Sequence, residues 1–379
     1  MEEIDIVLGN KEKKEIVKYV EQFLQLANRT CPQMQICKPN LSPNVNLQTE
    51  PVPKCKKIVD VADISKQADF DEYGCITYTE KTRATIKIQD GCNQFCSYCL
   101  IPYARGRIRS RKKENILKEV KDLTKNGIKE VILTGIHIAS YGEEFEEEYR
   151  LIDLLEDMNK IEGIKRIRLG SLEPTILDDE FVLRLKNLTK ICKHFHLSLQ
   201  SGCDRTLKRM NRKYITADFR EVCMRIRDNF EDVNLTTDII VGFPGETDDE
   251  FNETYEFLKE IAFYKMHVFK YSKRTGTLAA LMPNQVDGAV AEERSKKLIE
   301  LSEENQKIYN EKYIGREIDV LFEEKQGDYW IGHTDNYMVI KFKSEEDLEG
   351  KIKKVIIQNV EGENLIGENK ISEKRTVPK

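Results

Sequence analysis

The sequence predicts an α/β fold: an open partial (β/α)6 barrel in the middle of the chain and a small antiparallel β-barrel at its end. Three observations predict it. Between residues 84 and 270, six β-rich apolar runs alternate with amphipathic segments of helical period, the pattern of βαβ units on a parallel sheet. Six units are too few to close an eight-fold barrel. From residue 313 the runs become short and alternating, with Gly327, Gly350, Gly362 and Gly367 between or after them, as in a small all-β module.

Taken in order, residues 4–8 (IDIVL) predict a short strand stopped by Gly9-Asn10. Residues 11–26 then place Ile16, Val17, Val20, Phe23 and Leu24 at helical spacing. This strand–helix unit is expected to lack a partner strand. Residues 28–53 turn to Pro, Asn, Gln and Ser, with Pro32, Pro39, Pro43, Pro51 and Pro53, the composition of a linker. Strands are predicted over 84–89, 130–134, 166–169, 194–199, 234–241 and 265–270. Helices are predicted over 113–126, 149–160, 178–188, 216–229 and 248–261. A charged helix over 289–311 leads to the runs EIDVLFE, DYWIGH, YMVIKF and KIKKVIIQNV, which predict a five-stranded barrel. The expected organisation is therefore a remnant of an N-terminal α/β domain over 1–27, a linker over 28–75, the barrel core over 76–308 and the β module over 311–375.

Composition narrows the function. The 379 residues carry 61 basic and 66 acidic side chains, a net charge of −5, with 40% hydrophobic and 34% charged residues. That is a globular profile. No apolar run approaches the length of a membrane span, and the start lacks a basic region followed by an apolar stretch, so no membrane or secretory role is expected and a cytoplasmic protein is. Mild acidity argues against a generic polyanion binder. In that compartment ten cysteines point to metal ligands or nucleophiles before disulfides.

The cysteines concentrate in Gly91-Cys92-Asn93-Gln94-Phe95-Cys96-Ser97-Tyr98-Cys99, directly after the first predicted barrel strand. In such folds the βα loops at the C-terminal strand ends form the site. Three thiolates this close suit a soft metal or an iron–sulfur cluster. A structural zinc site wants a fourth ligand, and none stands at a telling spacing. A redox pair at Cys96 and Cys99 would leave Cys92 without a role. Cys192, Cys203 and Cys223 have no ligand spacing and are expected to be buried small hydrophobes.

The C-x3-C-x-aromatic-C loop resembles the radical S-adenosylmethionine superfamily. The wider text (KIQDGCNQFCSYCLIPYARGRIRSR, LTGIHIASYG, LGSLEP, LSLQSGCDRTLKRMNRKY, TDIIVGFPGET, HVFKYSKRTGTLAA) resembles the methylthiotransferases within it. The branch acting on threonylcarbamoyladenosine beside the tRNA anticodon is the most similar. The likeness runs from about residue 76 to about residue 370, and the terminal β module resembles their TRAM domain. It implies that Cys92, Cys96 and Cys99 hold three irons of a 4Fe-4S cluster, whose fourth iron takes the amino and carboxylate groups of S-adenosylmethionine. One-electron cleavage then yields a 5′-deoxyadenosyl radical that takes hydrogen from C2 of the adenine, where sulfur is inserted and methylated. It also implies a tRNA partner, met at the anticodon loop, and an electron donor such as flavodoxin or ferredoxin.

Around the cofactor, the resemblance implies roles for Tyr98 against the adenine and for Gly135 in the segment that receives the methionine amino group. It implies cofactor positions too for Glu173 of SLEP, Gln200, Ser201, Ile240 and Gly242; His137 is read either as a chemical participant or as a structural histidine, and no catalytic residue is assigned. An ordinary packing, turn or capping role is the competing account of each. The basic runs over 104–113 and 204–213 hold six and five cationic side chains. Arg105, Arg107, Arg109, Arg111, Arg209 and Arg212 are the expected RNA contacts, on an electropositive rim suited to phosphates. A solvated helix face is the plainer alternative. The terminal module has 11 basic against 14 acidic residues from Tyr313 onward, so its charge does not announce RNA. Trp330 is expected in its core, although it could stack a base.

Methylthiotransferases carry three further cysteines in an N-terminal domain, holding a second 4Fe-4S cluster that delivers sulfur. Cys31, Cys37, Cys55 and Cys75 do not match that spacing. A truncated chain with one cluster is therefore expected, which by itself would cleave S-adenosylmethionine but not insert sulfur. The alternatives are a zinc-stabilised, non-catalytic RNA-binding protein and a radical enzyme with another substrate.

Overall fold

The computed structural model describes residues 6–9, 12–30, 58–64, 67–72, 74 and 82–369. Cys31, Cys37, Cys55 and Cys75 lie outside them. The first elements are β1 (Ile6–Leu8) and α1 (Ile16–Thr30). Strand β1 does have a neighbour: β2 (Ile58–Asp60) pairs with it in parallel, Ile6 opposite Ile58. That corrects the unpartnered strand. A three-residue run is too short for periodicity to reveal.

The core is built from β3 (Arg83–Asp90), α2 (Ile101–Arg105), β4 (Arg109–Ser110), α3 (Lys113–Lys125), β5 (Glu130–Gly135), α4 (Leu151–Asn159) and β6 (Arg166–Leu169), followed by α5 (Asp179–Lys186), β7 (His194–Gln200), α6 (Asp204–Arg209), α7 (Thr216–Asn229), β8 (Asn234–Val241), α8 (Asp248–Ile261) and β9 (Lys265–Lys270). Two sheets, ordered β4-β3-β5-β6 and β7-β8-β9, meet through the single parallel bridges Ile167–Ile191 and Leu172–Leu197. Six parallel strands thus make a half-barrel, with the short antiparallel β4 at its edge. Alternation places Ile86, Val131, Leu133, Ile167, Phe195, Leu197 and Leu235 under the helices, each at most 1% exposed. The opposite side chains, among them Lys87, Ile132, His196 and Asp238, face the open concave side and are only half-buried. Capping is explicit on α8: Thr247 Oγ1 accepts from Glu250 N at 3.2 Å while Glu250 Oε2 accepts from Thr247 N at 3.3 Å.

Helix α9 (Gly288–Glu311) leads to β10 (Glu317–Gln326), β11 (Tyr329–His333), β12 (Val339–Lys343), β13 (Ile352–Glu361) and β14 (Asn364–Glu368), which close a barrel in the order β10-β11-β12-β14-β13. Four seams are antiparallel and β12–β14 is parallel, a closure the alternating runs did not disclose. Trp330, 7% exposed, packs in this barrel's core as expected. The barrel docks on the N-terminal strand ends of the half-barrel. Arg166 donates to His333 O at 2.8 Å and Asp319 O at 2.9 Å, and Arg168 to Asp335 O at 3.1 Å. The Tyr337 ring lies 4.9 Å from both the His194 and His333 rings and 4.6 Å from the Arg168 guanidinium carbon. Among the described residues, no helix is long and apolar enough to cross a membrane.

Candidate active site

The loop after β3 carries Cys92, Cys96 and Cys99 at the C-terminal end of the strand, each thiol half-buried. Gly91 begins it with φ +73°, and an added Cβ there would stand 1.8 Å from Arg107 O, so only glycine fits. Gln89, fully buried, fastens the loop to its neighbours. Its Nε2 donates to Asp90 O at 2.8 Å and Gly91 O at 2.7 Å, while its Oε1 accepts from His137 N at 2.7 Å. From the other side, Asn211 Nδ2 donates to Phe95 O at 2.9 Å, and Ser97 Oγ donates to Arg209 O at 2.8 Å. Phe95 and Asn211 both take left-handed backbone, φ 49° and 61°. The loop is thus held by contacts on two sides rather than by its own sequence.

Every thiol has an N–H donor. Gln94 N lies 3.4 Å from Cys92 Sγ, Ile101 N lies 3.4 Å from Cys99 Sγ, and Arg212 Nη1 lies 3.3 Å from Cys96 Sγ. Such donors favour thiolate over thiol. Burial acts the other way, pushing the Cys92 thiol up to about 11 and raising Cys99 as well, with the neighbouring cysteines adding to the effect. Binding a metal therefore has to displace protons from these sulfurs. Three soft donors on one strand-end loop, each with a hydrogen-bond donor at its sulfur, fit an iron–sulfur cluster. Among the described residues, no group of three or more His, Cys, Asp or Glu side chains is placed to hold a single metal ion.

Beside the loop, Glu173 and Arg212 make a buried ion pair, both oxygens of the carboxylate 2.9 Å from Arg212 Nη2. His137 Nε2 stands 3.4 Å from the same carboxylate. Burial would raise the Glu173 carboxyl, but His137 and the Arg212 guanidinium outweigh it and hold it below the ordinary glutamate value. Arg212 also donates from Nε to Tyr214 OH at 2.9 Å, and its charge is reinforced. One guanidinium thus ties SLEP, NRKY and the cysteine loop together. Sequence reasoning placed Glu173 and Arg212 in separate roles; their pairing across 39 positions leaves no local signal.

Tyr98 packs edge-on against Phe243, 6.2 Å between centroids, in the same apolar group as Ile240. Gly135 ends β5 against Gln89, where an added Cβ would stand 2.9 Å from Gln89 O. Gln200, at φ 71°, ends β7 on the half-buried concave side. One expected cofactor residue turns its side chain inward. The Ser201 hydroxyl, 1% exposed, faces Thr254 Oγ1 at 3.3 Å and accepts from Cys203 N at 3.3 Å. Gly242 makes room for α9, since its Cβ would stand 2.7 Å from the Ala291 Cβ.

The electropositive rim also needs correction. Arg109 is 1% exposed and donates to Arg105 O at 2.8 Å and Arg107 O at 3.0 Å. Arg111, 4% exposed, pairs with Glu119 and with Glu72 at 2.9 Å. With Arg212 buried against Glu173, these three face the interior and cannot meet a phosphate. A buried cation without a carboxylate would cost far more than a surface one gains. Arg209 is partly exposed and paired with Glu250 at 3.0 Å, while Arg105 is half-buried and Arg107 exposed. Cys192, Cys203 and Cys223 are buried, at 2%, 1% and 0% exposure, as expected.

Residues 86–258 match the Radical SAM superfamily and residues 311–369 match the TRAM domain. Over 360 residues the chain is 39% identical to the threonylcarbamoyladenosine tRNA methylthiotransferase MtaB of Bacillus subtilis (strain 168), covering 93% of this chain and 73% of that protein. The protein of the same name in Aquifex aeolicus (strain VF5) is 36% identical over 357 residues, 94% of this chain and 78% of its own. A tRNA-2-methylthio-N(6)-dimethylallyladenosine synthase of Thermoanaerobacter sp. (strain X514) is 40% identical over 289 residues; the match covers 76% of this chain and 61% of that relative's length. Identity sustained over nearly the whole chain, on a half-barrel with its cysteine loop and a terminal β-barrel, settles the kinship: the chain belongs to the radical SAM tRNA methylthiotransferases, a family of transferases.

Proposed function

We propose that the chain is a tRNA-modifying enzyme serving methylthiolation at C2 of N-threonylcarbamoyladenosine beside the anticodon, its described residues forming the centre that cleaves S-adenosylmethionine and the sulfur coming from a donor outside them. The observation that carries this reading is the loop of Cys92, Cys96 and Cys99, all three thiols facing N–H donors at the C-terminal end of the half-barrel. These cysteines would hold one 4Fe-4S cluster, with S-adenosylmethionine beside it. When bound, the two supply one-electron chemistry able to act at an aromatic C–H that acid–base groups cannot activate.

The chain's own residues position and shield. Gln89 and Asn211 hold the loop's backbone, Arg212 donates to Cys96 Sγ, and Tyr98 with Ile240 and Phe243 offers an apolar wall for an adenine. Arg105, Arg107 and Arg209 are the arginines of the expected rim left to meet RNA at this end, beside the exposed Lys112, Arg205, Lys208 and Lys213 of the same two runs. Among the described residues the remaining cysteines are buried, so one cluster is proposed for them. The electron donor, flavodoxin or ferredoxin, belongs to this reading, as does a cytoplasmic location.

The test is nucleoside analysis by mass spectrometry of tRNA from a strain lacking the gene. The expected result is loss of the 2-methylthio form and accumulation of threonylcarbamoyladenosine. Unchanged tRNA nucleosides would refute the reading.

A further inference from the structure

A cavity of about 550 Å³ opens on the concave side of the half-barrel, below the cysteine loop and above the docked β-barrel. Its upper edge includes Gly170 and Ser171, the latter opening the SLEP segment that carries Glu173. Asp238 lies two residues before Ile240 on the same face of β8, one pleat step or about 7 Å down the strand. The cavity thus ends one pleat step from Ile240, in the apolar group that also holds Tyr98.

Its wall is not a plain apolar one. His196 Nε2 lies 3.2 Å from Asp238 Oδ2, and His196 Nδ1 lies 2.9 Å from Thr236 Oγ1. The same hydroxyl faces His194 Nε2 at 3.0 Å, and the His267 ring stands 5.7 Å from that of His196. At the floor, His194 is 7% exposed and its Nδ1 has no hydrogen-bond partner. A buried polar atom left without a partner calls for one. Carbon surface from Ile132 and Phe269 surrounds this polar line. A few fixed hydrogen-bonding groups in a carbon-lined hollow is the general form of a selective small-ligand pocket.

We propose that this cavity receives the N6 substituent of the target adenosine, and that His196 and Asp238 select a polar, hydrogen-bonding substituent over an aliphatic one. The assignment rests on the chain being a tRNA methylthiotransferase, and it names what that site discriminates. The family members similar to this chain differ in the adenosine they are named for, threonylcarbamoyl or dimethylallyl, at nearly equal identity. Overall likeness therefore does not decide between them, whereas the cavity's chemistry does. A threonylcarbamoyl group brings N–H and hydroxyl donors for Asp238, which His196 holds in place, a polar partner for the unpaired His194 Nδ1, and oxygen acceptors for His267. A dimethylallyl group would cover the same side chains and return no hydrogen bond. Sites built to bond polar groups reject analogues that lack them far more strongly than apolar pockets reject an added methylene.

The experiment measures binding of the reconstituted full chain to three anticodon stem-loop RNAs. They carry threonylcarbamoyladenosine, dimethylallyladenosine or plain adenosine at one position. The wild-type chain is expected to prefer the first over the second by about tenfold or more, equivalent to about 1.4 kcal/mol. His196→Gln and Asp238→Asn should each remove most of that preference while plain-adenosine RNA binds as before, which also shows that the variants are folded. A wild-type chain without the preference, or variants that keep it, would overturn the subsite. Variants that lose affinity for all three RNAs equally would also overturn it, leaving His196 and Asp238 as structural residues. A wild-type chain that binds none of the RNAs would overturn the tRNA reading itself, and the subsite with it.

Discussion

At the scale of single residues, the cysteine loop depends on positions that hold no metal. Gly91→Ala would put a Cβ 1.8 Å from Arg107 O at φ +73°, and should cost about 3 kcal/mol or more. Gly127, at φ +88° with nothing within 4 Å, is the control: Gly127→Ala should cost only about 1–2 kcal/mol. Thermal melts and iron content after reconstitution would separate the two. Arg212→Ala would leave the Glu173 carboxylate buried beside His137 alone, a loss of about 3–5 kcal/mol at neutral pH. Because Glu173 is held below its ordinary value, its stabilisation is present above that range and lost as pH falls through the lowered value. The gap between wild type and Arg212→Ala in denaturant melts should therefore narrow on acidification. A gap that widens would contradict the ion pair. The motif made the three cysteines legible because their spacing is local. Arg111 and Arg212 misled because a run of cations looks solvated until its partners, Glu119, Glu72 and Glu173, come from elsewhere in the chain, and Arg109 because it folds back onto the carbonyls of Arg105 and Arg107.

At the scale of elements, legibility followed length. Helices α7 and α8 occupy the predicted 216–229 and 248–261, since four turns of apolar period leave little ambiguity. The five-residue α2, the six-residue α6 and the two-residue β4 had no such signal, yet they carry Arg105, Arg209 and Arg109. The parallel pairing of β1 with β2 is non-local and equally silent. Helix α8 offers a direct check on its own start. Thr247→Ala removes the acceptor for Glu250 N and should lower stability by about 1 kcal/mol in equilibrium denaturation, with the cysteine loop unaffected. No change would mean that the capping box contributes nothing.

At the scale of the whole molecule, the N-terminal strand ends of the half-barrel are a docking surface for the terminal barrel. Glu130, fully buried, lies 2.8 Å from Arg168 and 3.8 Å from both Arg83 and Arg166, and these arginines reach the loop around Tyr337. Charges at strand starts, read one strand at a time, gave no hint of this convergence. Tyr337→Ala would remove the ring stacked between His194 and His333 and should cost about 2 kcal/mol. The expected sign is earlier protease cleavage between core and barrel; an unchanged cleavage pattern would place the docking energy elsewhere. The central claim, however, concerns the opposite end. The most direct measurement is anaerobic reconstitution of the chain and of Cys96→Ala, with iron content and 5′-deoxyadenosine formation read together. About four irons per chain and cleavage of S-adenosylmethionine are predicted for the wild type, and neither for the variant. Stoichiometric zinc with no cleavage, about eight irons, or cleavage retained by Cys96→Ala would contradict it.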